Sequence, residues 1–362
     1  MADPDIVRQA VELHNVALRE RVAGRTALAY DACLKALGVL ERECGVDSPD
    51  VAVALITLGL LREDAGQFSE AEDAFRRAVR ILSVHDEEST VVARVRALGN
   101  LGRLHRVQSR LEEAERCYLE AIRLTERVLG SDSPELSVLQ NELAVVYKYA
   151  ARYDEAVAWY RRALDAVEAE FGPEHVEAAT IWHNLGGIEH ARGRFAEGEP
   201  YARRSVEIRE AALGADHPAV AADVAALAAL VQEQGRLDEA ERLYRRAITV
   251  FESATESDAY ELAVNYNNLG ALYATREQWS AAEQLYRRAL RLKEDLLGPD
   301  HPDVAMTVHN LAVLRTEQGR TEEAQQLYQR ALASFEAGLG PDHPKTRTCR
   351  GELDALQRGS VG

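Results

Sequence analysis

The sequence lacks the features that would place it in a membrane, outside the cell or at a metal or redox site. It has no run of about 18 apolar residues, so it predicts no membrane-spanning helix. The opening residues, MADPDIVRQAVELH, lack the basic and apolar segments of a secretory signal. Its cysteines, Cys33, Cys44, Cys117 and Cys349, show no CxxC spacing. This argues against a metal site or a disulfide framework and indicates reduced thiols in a cytoplasmic protein.

Positive charge is also scarce. The formal net charge of the 362-residue chain is −17, and only four of its 43 basic residues are lysines. An acidic chain argues against general binding to nucleic acid or to anionic membranes, both of which need a basic surface. The preference for Arg over Lys, together with abundant Ala, is typical of a GC-rich bacterial genome.

Aromatic residues make up only 6% of the chain, whereas hydrophobic residues make up 46% and Ala, Leu, Arg and Glu dominate. This composition predicts helices rather than strands, with enough apolar surface for a sizeable core. The sequence contains no GxxxxGK[ST], GxSxG or HExxH motif. We therefore expect a non-enzymatic protein without a cofactor or a metal.

What the sequence does contain is a long repeat. The pentapeptide GPDHP occurs at residues 298–302 and again at 340–344, 42 residues later. A turn typified by GR in EQGRTEEA recurs at the same period, and its first residue serves as the anchor of each copy. Six of the seven intervals between anchors are 42 residues and one is 43. The eight anchors are Gly24, Gly66, Ser109, Ala151, Gly193, Gly235, Glu277 and Gly319.

Fixed positions around each anchor predict two helices per copy. A large apolar residue and then a small one stand eight and seven residues before the anchor. Small residues recur five and twelve residues after it, and an aromatic residue stands nine after it in six copies. Spacings of 3, 4 and 7 place such residues on one face of a helix. Each copy is therefore helix A, a turn and helix B.

The GPDHP segments punctuate the copies. Gly298 suits the left-handed residue that ends helix B, and Pro302 suits the first turn of the next helix A, which Asp300 or His301 can cap. Capping also explains these Asp-His pairs better than metal binding, because pairs a repeat apart do not converge on one ion. The second and sixth copies lack the Gly-Pro signal (VHDEEST and ESATESDAY), which predicts looser joints.

The Leu-small pair of helix A, followed by Ala, Tyr and Ala along helix B, resembles the tetratricopeptide repeat (TPR). The 42-residue length and the stretch LGPDHPDVA…NLA…EQGR…EEAQQLYQRAL look like the kinesin light chain type of TPR. The resemblance implies an all-α fold, an α-solenoid forming a right-handed superhelix of eight helix-turn-helix repeats with a C-terminal capping helix near residues 344–358. It also implies that helix A lines a concave groove that binds peptides.

We expect one domain over residues 1–362. The predicted repeats cover residues 5–45, 46–87, 88–130, 131–172, 173–214, 215–256, 257–298 and 299–340.

The groove should be lined by the residues 13, 10, 9, 6, 3 and 2 positions before each anchor, which we call the helix-A stripe. Asn stands nine before the anchor in five copies, although it is a poor helix former. In peptide-binding TPR proteins, an Asn at this position bonds the backbone of an extended peptide. The alternative is that these amides only bridge adjacent helices. The candidates are Asn15, Asn100, Asn184, Asn268 and Asn310, with Asn141 and Asn267 one position earlier.

Charge along the helix-A stripe is uneven. The third and fourth repeats contribute Arg96, Arg103, Arg106 and Lys148 against Glu142, and the fifth contributes His183 and His190. Such a local basic patch can select an acidic partner segment, because Arg can hold a carboxylate with two parallel bonds. The alternative is that these cations pair with acids on neighbouring B helices.

The sequence thus predicts a scaffold or adaptor that binds an extended, acidic segment of a partner protein. The Asn residues would hold the backbone of this segment and the basic residues would set its charge. Two other functions stay open. The chain could self-associate through its open ends, or the groove could serve a small-molecule sensor or an enzyme around His183 and His190.

Overall fold

The structure, a computed structural model, describes residues 3–85, 87–131, 133–253 and 258–359. Within these ranges it contains 17 α-helices and no strand, which confirms the all-α class and the helix-turn-helix repeats. The helices are α1 (Pro4–Val22), α2 (Thr26–Cys44), α3 (Pro49–Asp64), α4 (Phe68–Leu82), α5 (Glu88–Val107), α6 (Leu111–Val128), α7 (Pro134–Tyr149), α8 (Tyr153–Phe171), α9 (Val176–Ala191), α10 (Phe195–Leu213), α11 (Pro218–Glu233), α12 (Leu237–Ser253), α13 (Ala259–Thr275), α14 (Trp279–Leu297), α15 (Pro302–Glu317), α16 (Thr321–Leu339) and α17 (Pro344–Gly359).

The chain forms two compact units, Met1–His175 (unit 1) and Val176–Gly362 (unit 2). Unit 1 holds the first four repeats, α1 to α8, and unit 2 holds the other four, α9 to α16, followed by α17. Within each repeat the odd-numbered helix is helix A and packs against the even-numbered helix B that follows. Helix α17 packs against α16 at the place predicted for the capping helix. A single domain over the whole chain stays a prediction.

A left-handed residue sits at the turn anchor of every repeat. Five anchors are glycines, which adopt a positive φ at little cost. The other three, Ser109, Ala151 and Glu277, also have a positive φ, of 60°, 56° and 58°. Because a Cβ is disfavoured in this region, these three turns are strained where the glycine turns are not. The turn geometry is therefore imposed by the packing of the two helices.

The core of each repeat explains the predicted residue pattern. The small residue of helix A lies against the aromatic residue of helix B in the same repeat. A Cβ added to Gly59 would lie 2.5 Å from Phe75, and one added to Gly102 would lie 2.9 Å from Tyr118. No side chain larger than hydrogen fits at these two positions without a shift, so the aromatic ring and the glycine select each other.

The links between repeats confirm the role of the Gly-Pro segments. Gly298 ends α14 with a φ of 83°. His301 rather than Asp300 caps α15, because its Nδ1 accepts a bond of 3.1 Å from the Asp303 amide. His217 caps α11 in the same way. The predicted loose joints of the second and sixth repeats fall partly on residues 86 and 254–257, which lie outside the described residues.

Polar links between successive repeats recur near the turns. In unit 1, Glu115 of α6 accepts bonds from Tyr147 (2.7 Å) and Arg152 (2.8 Å) of the following repeat. In unit 2, Glu241 of α12 accepts bonds from Tyr273 (2.8 Å) and Arg276 (2.7 Å). The same device therefore joins neighbouring repeats in both units. No helix found in the described ranges is long and apolar enough to cross a membrane.

Candidate functional site

The candidate site is the helix-A stripe. Consecutive A helices contact one another within each unit: α1, α3, α5 and α7 in unit 1, and α9, α11, α13 and α15 in unit 2. Because these helices are adjacent, their stripes adjoin and form one face per unit. The side chains on this face come from positions that the core leaves partly or fully exposed, such as Arg96, Asn100 and His190.

Most charges on the unit 1 face are balanced by the neighbouring A helix. Arg103 of α5 donates two bonds to Glu63 of α3, with Nη2 at 2.7 Å from Oε2. Arg106 lies 3.6 Å from Glu142 of α7. The cations predicted to select an acidic segment are thus partly neutralised by acids on A helices, whereas the sequence suggested acids on B helices as the alternative.

Two cations of this face have no ionic partner among the described residues, Arg96 and Lys148. The Arg96 side chain is exposed. Its positive charge adds to burial in lowering the pKa of nearby His14. Lys148 is half-buried, and burial lowers the pKa of its amine. Arg96 is therefore the cation of unit 1 best placed to meet a carboxylate from outside the chain.

A cavity of about 420 Å³ lies beside Arg96, between α3, α5 and α7. Asn100 and Arg103 line it together with apolar atoms of Val138 and Leu139. Gly99 has no side chain and so leaves the cavity wider at this point. A Cβ added there would lie 3.7 Å from Leu139. The cavity combines a free cation, a side-chain amide and an apolar floor, which suits a segment with mixed polar and apolar side chains.

The Asn residues fall into two groups. Asn310 donates a bond of 3.0 Å to Asn267 of the preceding repeat, so these two amides bridge adjacent helices. Asn141 and Asn184 also have interactions of their own. In contrast, Asn15, Asn100 and Asn268 are half-buried and have no hydrogen-bond partner among the residues that the structure describes. Both predicted roles, bridging and free amide, therefore occur on the same face.

Whether an Asn side chain is bridged or free depends on the preceding repeat, on the residue that stands ten positions before its anchor. Asn267 stands there before Asn310, and its amide supplies the bridge. In the repeat that precedes Asn100 this position is Ile56, and in the repeat that precedes Asn268 it is Ala225. An apolar residue offers no hydrogen bond, so these amides stay free.

Histidines on the stripe differ in their partners. His183 Nδ1 lies 2.7 Å from Oδ1 of Asp223, a fully buried residue of α11. His190 is exposed and meets the ring of Phe195 edge-on, with the ring centroids 5.4 Å apart. The structure therefore does not bring His183 and His190 to one shared partner among the described residues.

Two residues behind the face, Asp223 and Arg209, were not predicted from the sequence. Arg209 occupies a position that is apolar in most repeats, and Asp223 occupies one that is apolar in half of them. Their pairing links α10 to α11 at 2.9 Å. A charged residue at a core position of an otherwise regular repeat is the signal that could have found them. No group of three or more His, Cys, Asp or Glu side chains in the described ranges could hold a metal ion.

Family models for the tetratricopeptide repeat match most of the sequence. One matches residues 9–83, 94–175, 177–253, 221–295, 260–337 and 303–355, and a second matches 56–128. The repeats read from the sequence are thereby confirmed. No curated protein matches the sequence.

Solved structures with a similar fold share little sequence with this chain. The apo form of the quorum sensor NprR from B. thuringiensis is 15% identical with a TM-score of 0.69, covering 90% of this chain and 88% of its own. The apo form of RapI is 13% identical with a TM-score of 0.60, covering 80% and 98%. A kinesin light chain-like protein of Podospora anserina with TPR-like repeats is 22% identical with a TM-score of 0.49, covering 56% and 96%.

Proposed function

Since the chain belongs to the tetratricopeptide repeat family, we propose that it is a non-enzymatic binding protein that holds an extended segment of a partner protein against its helix-A stripe. The observation that carries this proposal is the set of free side-chain amides at Asn15, Asn100 and Asn268. Asn is a poor helix former, so each of these residues weakens the helix that carries it. Such residues are well explained if a ligand completes their hydrogen bonds.

Side-chain amides suit the backbone of a peptide. Each offers one acceptor and two donors, so it can pair with the C=O and N–H of an extended chain without reading the side chains. The family's expected use of this position therefore applies best to Asn100 and Asn268. It applies less well to Asn267 and Asn310, which already bond each other.

We further propose that the segment is acidic where it passes Arg96. Arg103 and Arg106 already face Glu63 and Glu142, so their charges are partly offset. Arg96 is exposed, faces the 420 Å³ cavity and has no ionic partner among the described residues. A carboxylate of the segment would accept two parallel bonds from its guanidinium group.

Self-association through the first repeat is not favoured by the surface of α1. Gln9, Glu12 and Arg19 are exposed there. The equivalent residues of α3 are fully buried apolar side chains, among them Val51 and Leu61. The α1 surface is therefore polar where an apolar contact between copies would be needed.

The amide proposal is tested by a peptide-library screen on the purified chain and on two double variants. Asn100→Ala/Asn268→Ala removes one free amide from the face of each unit, and we expect the affinity of each face for its selected peptides to fall about fivefold, since a net hydrogen bond contributes about 1 kcal/mol. The matched control, Asn267→Ala/Asn310→Ala, removes two amides that bond each other and should change affinity little. Equal losses in both variants would show that the free amides have no binding role.

The charge proposal is tested by Arg96→Gln against Arg94→Gln. Arg94 lies two residues away, outside the helix-A stripe, and pairs with Glu120 at 2.6 Å. We expect the Arg96 variant alone to lose affinity for acidic peptides and to lose part of the salt dependence of binding. If the two variants behave alike, Arg96 does not select charge.

A further inference from the structure

Three histidines occupy the same position in their repeats, ten residues before the anchor, and one of them is turned differently. His14 uses Nε2 to meet Thr57 at 2.7 Å, and His309 uses Nε2 to meet Glu352 at 2.5 Å. Each partner lies 43 residues after its histidine, and Thr57 stands nine before the anchor of its repeat. In the repeat that follows His183, this position holds Ala226, which offers no polar group. His183 instead bonds through Nδ1.

Arg209 holds Asp223, the partner of His183, in place. Asp223 is fully buried, and its Oδ1 accepts from Arg209 at 2.9 Å as well as facing His183 Nδ1 at 2.7 Å. Arg209 also donates to Thr180 of α9 at 2.9 Å. These contacts close a ring of side chains across α9, α10 and α11. The arginine offsets the charge of the carboxylate and holds it in place.

The chemistry of the carboxylate decides where the histidine proton lies. An ionised Asp can only accept hydrogen bonds, so the Nδ1 of His183 must carry the hydrogen. A neutral imidazole has one N–H, so Nε2 is then a bare acceptor. The His183 side chain is 35% exposed on the helix-A stripe, and its Nε2 has no partner among the described residues. When it is neutral, the ring therefore presents an oriented acceptor, Nε2, to whatever binds this face.

We propose that Thr180, Arg209 and Asp223 are positioning residues that hold His183 in the Nδ1–H tautomer, so that Nε2 accepts a hydrogen bond from a backbone N–H of the bound segment. This inference rests on the proposed function and adds a requirement to it. The segment must present an N–H opposite His183, which excludes proline at that residue. Free Asn side chains impose no such requirement, because an amide can donate as well as accept.

The tautomer is tested first, without any ligand. Nitrogen-15 NMR of the full chain at pH 8, where imidazole is largely neutral, distinguishes a protonated Nδ1 from a protonated Nε2. We expect His183 to carry its proton on Nδ1, and His183→Gln identifies the signal. A proton on Nε2 would overturn the proposal whether or not a peptide binds.

The ligand contact is tested on a peptide selected by the library screen. Each backbone amide is replaced in turn by an ester, which removes one N–H without adding bulk. We expect one ester to weaken binding to the native chain about tenfold and to have no further effect on His183→Ala, which starts about tenfold weaker. The control His190→Ala should retain the penalty of that ester.

The outcomes separate this inference from the proposed function. Peptide binding that is unaffected by His183→Ala overturns the inference and leaves the proposed function standing. A native chain that binds no peptide overturns both.

Discussion

The two units use the same repeat but differ in what they bury. Within the described ranges, every buried Asp, Glu, Lys and Arg lies in unit 2: Glu189, Asp223, Lys293 and Arg315. The buried polar residues of unit 1 carry no such group; they are Thr57, Thr90, His105, Thr125, Ser137 and Gln140. Unit 1 keeps its charged pairs, such as Arg103 with Glu63, nearer the surface.

This difference shows how interfaces built from the same repeat can differ in their sensitivity to the loss of a charged partner. A pair near the surface can exchange its partner for water, so breaking it costs little. A buried charge has no such replacement, so removing its partner is expensive. The interfaces of unit 2 should therefore respond far more strongly to single polar substitutions than those of unit 1.

The largest effect is expected for Asp223→Ala in unit 2 compared with Glu63→Ala in unit 1. Asp223→Ala leaves Arg209, whose side chain is only 11% exposed, without its ionic partner. It should lower the free energy of unfolding by about 3–5 kcal/mol. Glu63→Ala leaves Arg103, which is 37% exposed, and should cost about 1 kcal/mol or less. Urea unfolding measures both costs.

Hydrogen exchange then locates the loss. Faster exchange confined to α9, α10 and α11 is expected for the Asp223 variant. Equal destabilisation by the two substitutions would contradict the contrast between the units.

A smaller effect is expected at Lys293, a buried lysine whose hydrogen-bond partners are both neutral groups. Its Nζ donates to the Asp303 carbonyl (3.3 Å) and to Thr307 Oγ1 (3.2 Å). Replacing it by Met in Lys293→Met removes a desolvated charge and should raise the free energy of unfolding by about 1 kcal/mol at pH 7. Lys35→Met, at an exposed lysine of unit 1, should have almost no effect.

The pH dependence gives the sign of this effect. Burial lowers the pKa of Lys293 from its ordinary 10.5, so between the two values the unfolded chain binds more protons. The native chain should therefore gain stability relative to Lys293→Met as the pH rises towards 10.5. An advantage of the Met variant that grows with pH would contradict a buried charge.

The smallest effect is expected at the strained turns, where the units behave alike. Ala151 in unit 1 and Glu277 in unit 2 have φ values of 56° and 58°. Ala151→Gly and Glu277→Gly should each raise the free energy of unfolding by about 0.5–1 kcal/mol, because glycine adopts this φ without a clash. Gly235→Ala, at a glycine anchor, is the reverse control and should destabilise. No gain in either unit would mean that the turns relax around the Cβ.

Much of the fold was predictable from the sequence because the repeat places the same demands on each copy. The recurring small and aromatic positions, such as Gly102 and Tyr118, predicted two helices in each copy, and the structure shows that these two residues lie against each other. The Gly-Pro punctuation predicted where helices end and begin. The choice between Asp300 and His301 as the cap was open in the sequence, and backbone geometry decided it for His301.

The candidate site was predictable only in outline. The sequence placed Arg96, Asn100 and His183 on the helix-A stripe of their repeats, but it did not give their partners. Arg103 and Glu63 are 40 residues apart, and they meet because successive repeats stack with their A helices in contact. Whether an amide is free or bridged depends on the residue of the preceding repeat that faces it, as Asn267 faces Asn310.

The sequence by itself determined the repeat, its two helices, its turns and its core, because these depend on contacts within about 42 residues that recur in every copy. The tertiary structure decided which polar groups of the described residues have a hydrogen-bond partner within the chain. Hydrogen bonds and ion pairs depend on distances between side chains of different repeats, and no local pattern states these. The contacts of Asp223 with His183 and Arg209 are the clearest case, because these three side chains meet only where α9, α10 and α11 pack together.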